Sequence, residues 1–110
     1  MERLVKGQVV VLPFPYTDLS NVKKRPALVV AKLEGGNVIL VQITTNKRTD
    51  KDIIALTSKD FASGTLKHDS FIMPSLIFTI DSSRIEYVAG KLKQEKINII
   101  QNKICEIFTR

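Results

Sequence analysis

Residues 24–45 read KRPALVVAKLEGGNVILVQITT. Two apolar, β-branched runs, Ala27 to Ala31 and Val38 to Thr45, flank Glu34-Gly35-Gly36-Asn37. Paired glycines between such runs are hairpin chemistry, because a tight reversal needs the positive φ that glycine adopts without strain. The runs are expected to be adjacent antiparallel strands. In the second, the two-residue period puts Ile39, Val41 and Ile43 on one face and Leu40, Gln42 and Thr44 on the other. The first face is the expected core side, with Thr44 pointing away from it. Antiparallel pairing sets the start of one strand opposite the end of the next. Lys23, Lys24 and Arg25 therefore come beside Thr44, Thr45, Asn46, Lys47 and Arg48, and form one cationic patch.

Before this hairpin, Gly7 opens a valine-rich run, Gln8 to Leu12, expected to end at Pro13-Phe14-Pro15 because proline donates no ladder hydrogen bond. Tyr16 to Lys24 holds Thr17, Asp18, Ser20 and Asn21 and reads as an exposed loop. After the hairpin, Ile53 to Leu56 is a short strand, and Thr57-Ser58-Lys59-Asp60 resembles a helix N-cap entering a single turn, stopped by Gly64. Ser70 to Ile80 is a strand in which Pro74 demands a bulge or an edge. Arg84 to Leu92 fits a strand or a helix, broken by Gly90. Gln94 to Phe108 spaces Ile97, Ile100, Ile104 and Ile107 by three and four, the stripe of an amphipathic helix on a sheet. Five or six short strands and a terminal helix imply a small, strongly curved antiparallel sheet or barrel.

At 110 residues and 12.4 kDa the chain has room for one hydrophobic core, and 44% hydrophobic with 25% charged residues is an ordinary globular composition. Seventeen Lys and Arg against eleven Asp and Glu leave a net charge of +6, suited to a polyanion. Cys105 is the single cysteine, so no internal disulfide forms and a reducing compartment is expected; within the apolar helix it reads as buried filler. MERLVKGQVV lacks the apolar run and cleavage site of a signal peptide, and no apolar run reaches the roughly 18 residues of a membrane span.

No glycine-rich phosphate loop, no Cys or His pair at metal spacing and no nucleophile elbow is present. Asp and Glu are scattered singly, which leaves a two-metal nuclease little to build with. His68, the only histidine, stands beside Asp69 before a strand and reads as a solvated loop residue, with a general-base role the weaker alternative. The strand-end patch carries the chemistry that remains: the Arg25 guanidinium can grip a phosphate through two oxygens, and Thr44 and Thr45 can donate to it.

GQVVVLPFP near the start, KRPALVV at 24–30, VQITT at 41–45, DSFI at 69–72 and TID at 79–81 together resemble the MazF/PemK family of toxin endoribonucleases, in the family's order and over nearly the whole chain. The resemblance implies one domain over residues 1–110, mostly β, an SH3-like barrel with a C-terminal helix, assembled as a homodimer in the cytoplasm. It also implies cleavage of single-stranded RNA with no metal or other cofactor, through the RNA's own 2′-hydroxyl, and inhibition by a small acidic antitoxin. Arg25 matches the arginine of the Arg-Pro motif and Thr44 the threonine ending the next strand; these are the expected catalytic residues. Arg25 is assigned charge stabilisation and Thr44 positioning of the phosphate. Lys24, Thr45, Asn46 and Lys47, with Asp69 and Ser70, are the expected RNA contacts. The general base is left open.

The chain also departs from the family pattern. Some relatives carry an arginine and an aspartate where Met73 and Ser75 stand, an arginine at Phe78, and a longer glycine-rich loop than Tyr16 to Lys24. Two other readings follow: a catalytically silent barrel that binds RNA or a partner protein, and an interaction domain whose charge only solvates it.

Overall fold

The computed structural model describes residues 4–15, 22–47 and 49–110. The expected loop is thus outside the described residues over 16–21, as is Arg48. Among the described residues seven strands precede one helix: β1 (Gln8–Pro15), β2 (Val22–Lys32), β3 (Asn37–Thr44), β4 (Ile54–Leu56), β5 (Phe61–Gly64), β6 (Ser70–Asp81), β7 (Tyr87–Leu92) and α1 (Gln94–Thr109). They form a single antiparallel sheet in the order β4-β6-β3-β2-β1-β7-β5. Its two edges lie close: Leu56 of β4 and Phe61 of β5 pack in the same core cluster, joined by a 3-10 turn over Ser58–Asp60. The sheet curls into a half-barrel, as the expected strongly curved antiparallel architecture requires.

The glycine pair makes the β2–β3 reversal, with Gly35 at φ 76° and Gly36 at φ 87°, and the Leu33 N–H donates to the Asn37 carbonyl at 2.9 Å. Pro74 falls in a bulge: Val41 faces Ile77 and Gln42 faces Met73, so Pro74, Ser75 and Leu76 have no partner on β3. Ile97 and Ile100 of α1 are buried against Val9, Leu28, Val41 and Leu92, with Ile104 packed at the margin.

Several expectations are corrected. The apolar alternation of β3 does not separate core from surface: Leu40 is fully buried and joins Val10, Leu12, Ala27, Val29 and Ile85 in a second cluster on the opposite face. Curling exposes neither side of the central strands. β1 does not end at Leu12 but runs through Pro13 to Pro15, because beyond Val11 it pairs, among the described residues, with β2 alone and the missing N–H groups interrupt no ladder toward β7. Lys23 and Lys24 lie in β2, opposite Phe14 and Pro13, rather than in a loop. The Thr57–Asp60 turn forms, its Thr57 N–H donating to the Asp60 carboxylate at 2.8 Å, but it gives way at Phe61 to β5 instead of continuing to Gly64.

The ambiguous run from Arg84 resolves into a 3-10 turn over Ser82–Arg84 followed by β7. Gly90 is no breaker. A Cβ there would meet the Ser63 carbonyl oxygen at 2.5 Å, so the glycine lets β5 approach β7. Cys105 is exposed on α1, since only one stripe of the helix meets the sheet.

Candidate active site

β2 and β3 position the site. Ala27 pairs with Gln42, and continuing that antiparallel register by two residues sets Arg25 opposite Thr44, on the same face of the sheet. On the other side of β2, Arg25 pairs with Leu12, which is 3% exposed, so its backbone is held there by a ladder rooted in a buried residue. The strand ends open into a recess of about 200 Å³ lined by Lys23, Lys24, Arg25, Pro26, Ile43, Thr44, Thr45 and Asn46. Three cations and two hydroxyls thus line one space; of the expected strand-end patch, Lys47 does not line it and Arg48 lies outside the described residues.

Thr44 is 9% exposed and aimed by its own turn: its Oγ1 accepts the Asn46 N–H at 3.2 Å. A hydroxyl holding that bond with a lone pair keeps its O–H as a donor for an anion. Lys24 Nζ lies 2.9 Å from Glu86 Oε1, and this hydrogen bond and the carboxylate's charge hold the lysine pKa above its ordinary value.

The other expected contacts are distributed unevenly. Ser70 is buried, its hydroxyl donating to the His68 carbonyl at 2.9 Å, and it lines a second recess with His68. Lys47 and Asp69 are exposed and line neither recess. The departures from the family pattern have structural employment here. Met73 is buried, Ser75 Oγ bonds Asp50 Oδ2 at 3.0 Å across the bulge, and Phe78 packs edge-on against Phe14 with ring centroids 5.2 Å apart. The sequence did not single out Glu86, which pairs with Lys24, or Tyr87, which lines the second recess; their only signal was a carboxylate and an aromatic side by side in a run of ambiguous periodicity. Among the described residues, no group of three or more His, Cys, Asp or Glu gathers to hold a metal ion. No helix among them is long and apolar enough to cross a membrane.

The profile of the PemK-like, MazF-like toxin of type II toxin-antitoxin systems matches residues 5–108. No curated protein matches the sequence. Among solved structures, an endoribonuclease in complex with its cognate antitoxin from a mycobacterial species superposes with a TM-score of 0.76 at 18% identity, covering 96% of this chain and 95% of that one. Mycobacterium tuberculosis toxin MazF-mt6 gives 0.71 at 17% identity, covering 92% and 95%. A MazE-MazF crystal structure from Deinococcus radiodurans gives 0.73 at 16%, covering 94% of both chains. At these identities the likeness is one of fold.

Proposed function

The chain belongs to the PemK-like, MazF-like toxins of type II toxin-antitoxin systems, and from that premise we propose that it is a single-domain, sequence-specific endoribonuclease that cuts single-stranded messenger RNA in the cytoplasm. The observation that supports the reading is the recess that Arg25 and Thr44 line together with Lys23 and Lys24.

In that recess the scissile phosphate lies between the guanidinium and the hydroxyl. The 2′-hydroxyl loses its proton as its oxygen bonds to phosphorus, the P–O5′ bond breaks, and the departing oxygen takes up a proton. The products carry a 2′,3′-cyclic phosphate and a 5′-hydroxyl. The intermediate phosphorane bears two negative charges, and fixed donors aimed at developing charge are commonly the largest catalytic contribution. Arg25 supplies them, since a guanidinium offers a fork of N–H donors and no acceptor, which suits charge stabilisation rather than the role of a base. Thr44, oriented by the Asn46 N–H, positions a non-bridging oxygen. The nucleophile belongs to the substrate, so the protein needs neither its own nucleophile nor a metal-bound water.

The partner is a small acidic antitoxin whose disordered tail occupies the basic recess in place of RNA. The working unit is a homodimer, since one small half-barrel has limited surface with which to hold several nucleotides. Light scattering at micromolar concentration is expected to give about twice 12.4 kDa. A monomer mass throughout would remove the dimer from the proposal. The deciding experiment incubates the purified protein with a long RNA and maps the ends. Cyclic-phosphate and 5′-hydroxyl ends at recurring short sequences are expected; binding without cutting would make the chain a silent RNA-binding barrel.

A further inference from the structure

A second recess, of about 620 Å³, adjoins the first and shares Lys24, Pro26 and Thr45 with it. Its far wall carries Lys67, His68 and Tyr87. The sheet register explains the placement: Val11 pairs with Pro26 on one side and Tyr87 on the other, so the three residues share one face at one level. Tyr87 then stands two strand spacings from Pro26, roughly 10 Å, on the face opposite the Arg25 side chain, and a strand held at Arg25 would reach it by crossing the Lys24, Pro26 and Thr45 rim that the two recesses share.

Nothing in the fold requires an aromatic ring there. Tyr87 is 55% exposed, outside both core clusters, and it opens β7 at a position where an ordinary polar residue would satisfy the strand. The rim is cationic: Lys24 belongs to both recesses and Lys67 to the second. An exposed ring flanked by lysines, continuous with a cation-lined recess, is the arrangement that holds a single strand, bases on the ring and phosphates on the ammonium groups.

We propose that Tyr87 is a base-stacking residue, the platform for a nucleotide flanking the scissile phosphate. This rests on the proposed ribonuclease reading. Stacking of this kind tolerates every base, because each offers a π-face, so Tyr87 supplies affinity rather than sequence choice. It touches a base away from the reacting atoms and holds substrate and transition state alike, so its loss raises KM and leaves kcat nearly unchanged.

The test exploits the composition. The chain has no tryptophan and two tyrosines, Tyr16 and Tyr87. In a Tyr16→Phe background Tyr87 is the sole tyrosine emitter, and a stacked base quenches it. The probe is a 2′-deoxy single-stranded oligonucleotide of mixed sequence, which cannot undergo 2′-hydroxyl attack. Quenching on titration is expected. Tyr87→Phe should bind the same probe, followed by anisotropy of a dye-labelled copy, within about twofold of the parent. Tyr87→Ala and Tyr87→Leu should bind about tenfold to a hundredfold more weakly and raise KM on RNA by a similar factor. The leucine variant retains apolar bulk on the strand and should melt with the parent, which separates stacking from folding.

Binding by the leucine variant equal to the parent's, with RNA cut normally, would overturn the stacking role and leave the ribonuclease reading standing. Weakened binding of an acidic peptide with RNA binding intact would overturn it too, by making the recess a protein-docking surface. A protein that neither binds nor cuts RNA would remove both proposals together.

Discussion

Lys24 Nζ and Glu86 Oε1 meet at 2.9 Å across β1, which separates β2, the strand of Lys24, from β7, which Glu86 immediately precedes. The Glu86 backbone is fixed by its N–H donating to the Val11 carbonyl at 2.9 Å. The lysine side chain is 63% exposed, and an ion pair in that setting adds little to stability. Its consequence is electrostatic: in the absence of RNA, Glu86 partly cancels one of the cations shared by the two recesses.

Glu86→Gln should therefore strengthen RNA binding several-fold and steepen its salt dependence by about one counterion, because an uncancelled lysine releases one more ion on contact with a phosphate. Anisotropy titrations between about 50 and 200 mM salt read both quantities. The melting temperature should stay close to the parent's. Unchanged affinity would mean that Lys24 does not meet the backbone.

Arg25→Lys should not restore what Arg25→Ala loses, since lysine keeps the charge but gives up the planar fork that holds two phosphate oxygens. Loss of such a preorganised donor costs on the order of 3 kcal/mol in the transition state, about a hundredfold or more in rate. Thr44→Ala should slow cleavage, and His68→Ala should change it little, given a side chain exposed on the rim. Circular dichroism and melting curves must accompany the rates, because Arg25 is paired within the ladder. A dead His68→Ala beside a fully active Arg25→Ala would transfer the chemistry to the histidine.

Cleavage should survive excess EDTA, and replacing the scissile nucleotide's 2′-hydroxyl with hydrogen should abolish it. Both follow from a nucleophile that belongs to the RNA. Activity lost to chelation and restored by magnesium would require a metal-based mechanism.

Gly64→Ala should destabilise the fold more than any surface change on β5. Gly64 sits at φ 67°, and a Cβ there would lie 2.2 Å from the Ala89 carbonyl oxygen, which is backbone and has little room to move. Gly90→Ala meets the Ser63 carbonyl from the other side. Overpacking of this kind costs about 1–3 kcal/mol, to which the positive φ of Gly64 adds strain. Urea unfolding checks it, with Ala62→Ser as the exposed neighbour for comparison. Equal midpoints would show that β5 and β7 separate without cost.

The end of α1 is tied to the loop after β3 by Arg110 Nη2, 2.7 Å from Asp52 Oδ1 and 3.2 Å from Glu106 Oε2. The hydrogen bond from Arg110 holds the Asp52 carboxyl below its ordinary 3.8, and Lys103 does the same to Glu106. A lowered folded-state pKa means that the unfolded chain binds more protons in acid, so this stabilisation is full above the ordinary carboxylate value and is lost as pH falls through the depressed one. Asp52→Asn should thus melt below the parent at pH 7, and the gap should close on acidification below about pH 4. A gap that persists at pH 2 would assign the effect to packing rather than charge.

The elements that were legible in the sequence are those whose signal is local. The glycine pair at 35–36, the three-and-four spacing of Ile97, Ile100 and Ile104, and the demand of Pro74 for a bulge each concern residues within a turn or two of one another, and each stands in the structure. The meeting of Arg25 with Thr44 was legible for the same reason, because a short hairpin fixes which strand ends coincide. The second core around Leu40, the paired prolines of β1 and the strand at Phe61–Gly64 were not legible. Their environment is set by which distant strand lies alongside and by how far the sheet curls. Glu86 and Tyr87 belong to this second group. β7 joins β1 on the side away from β2, a choice made by burial of apolar surface across the whole sheet, and that choice alone brings a carboxylate and a ring to the cations of β2.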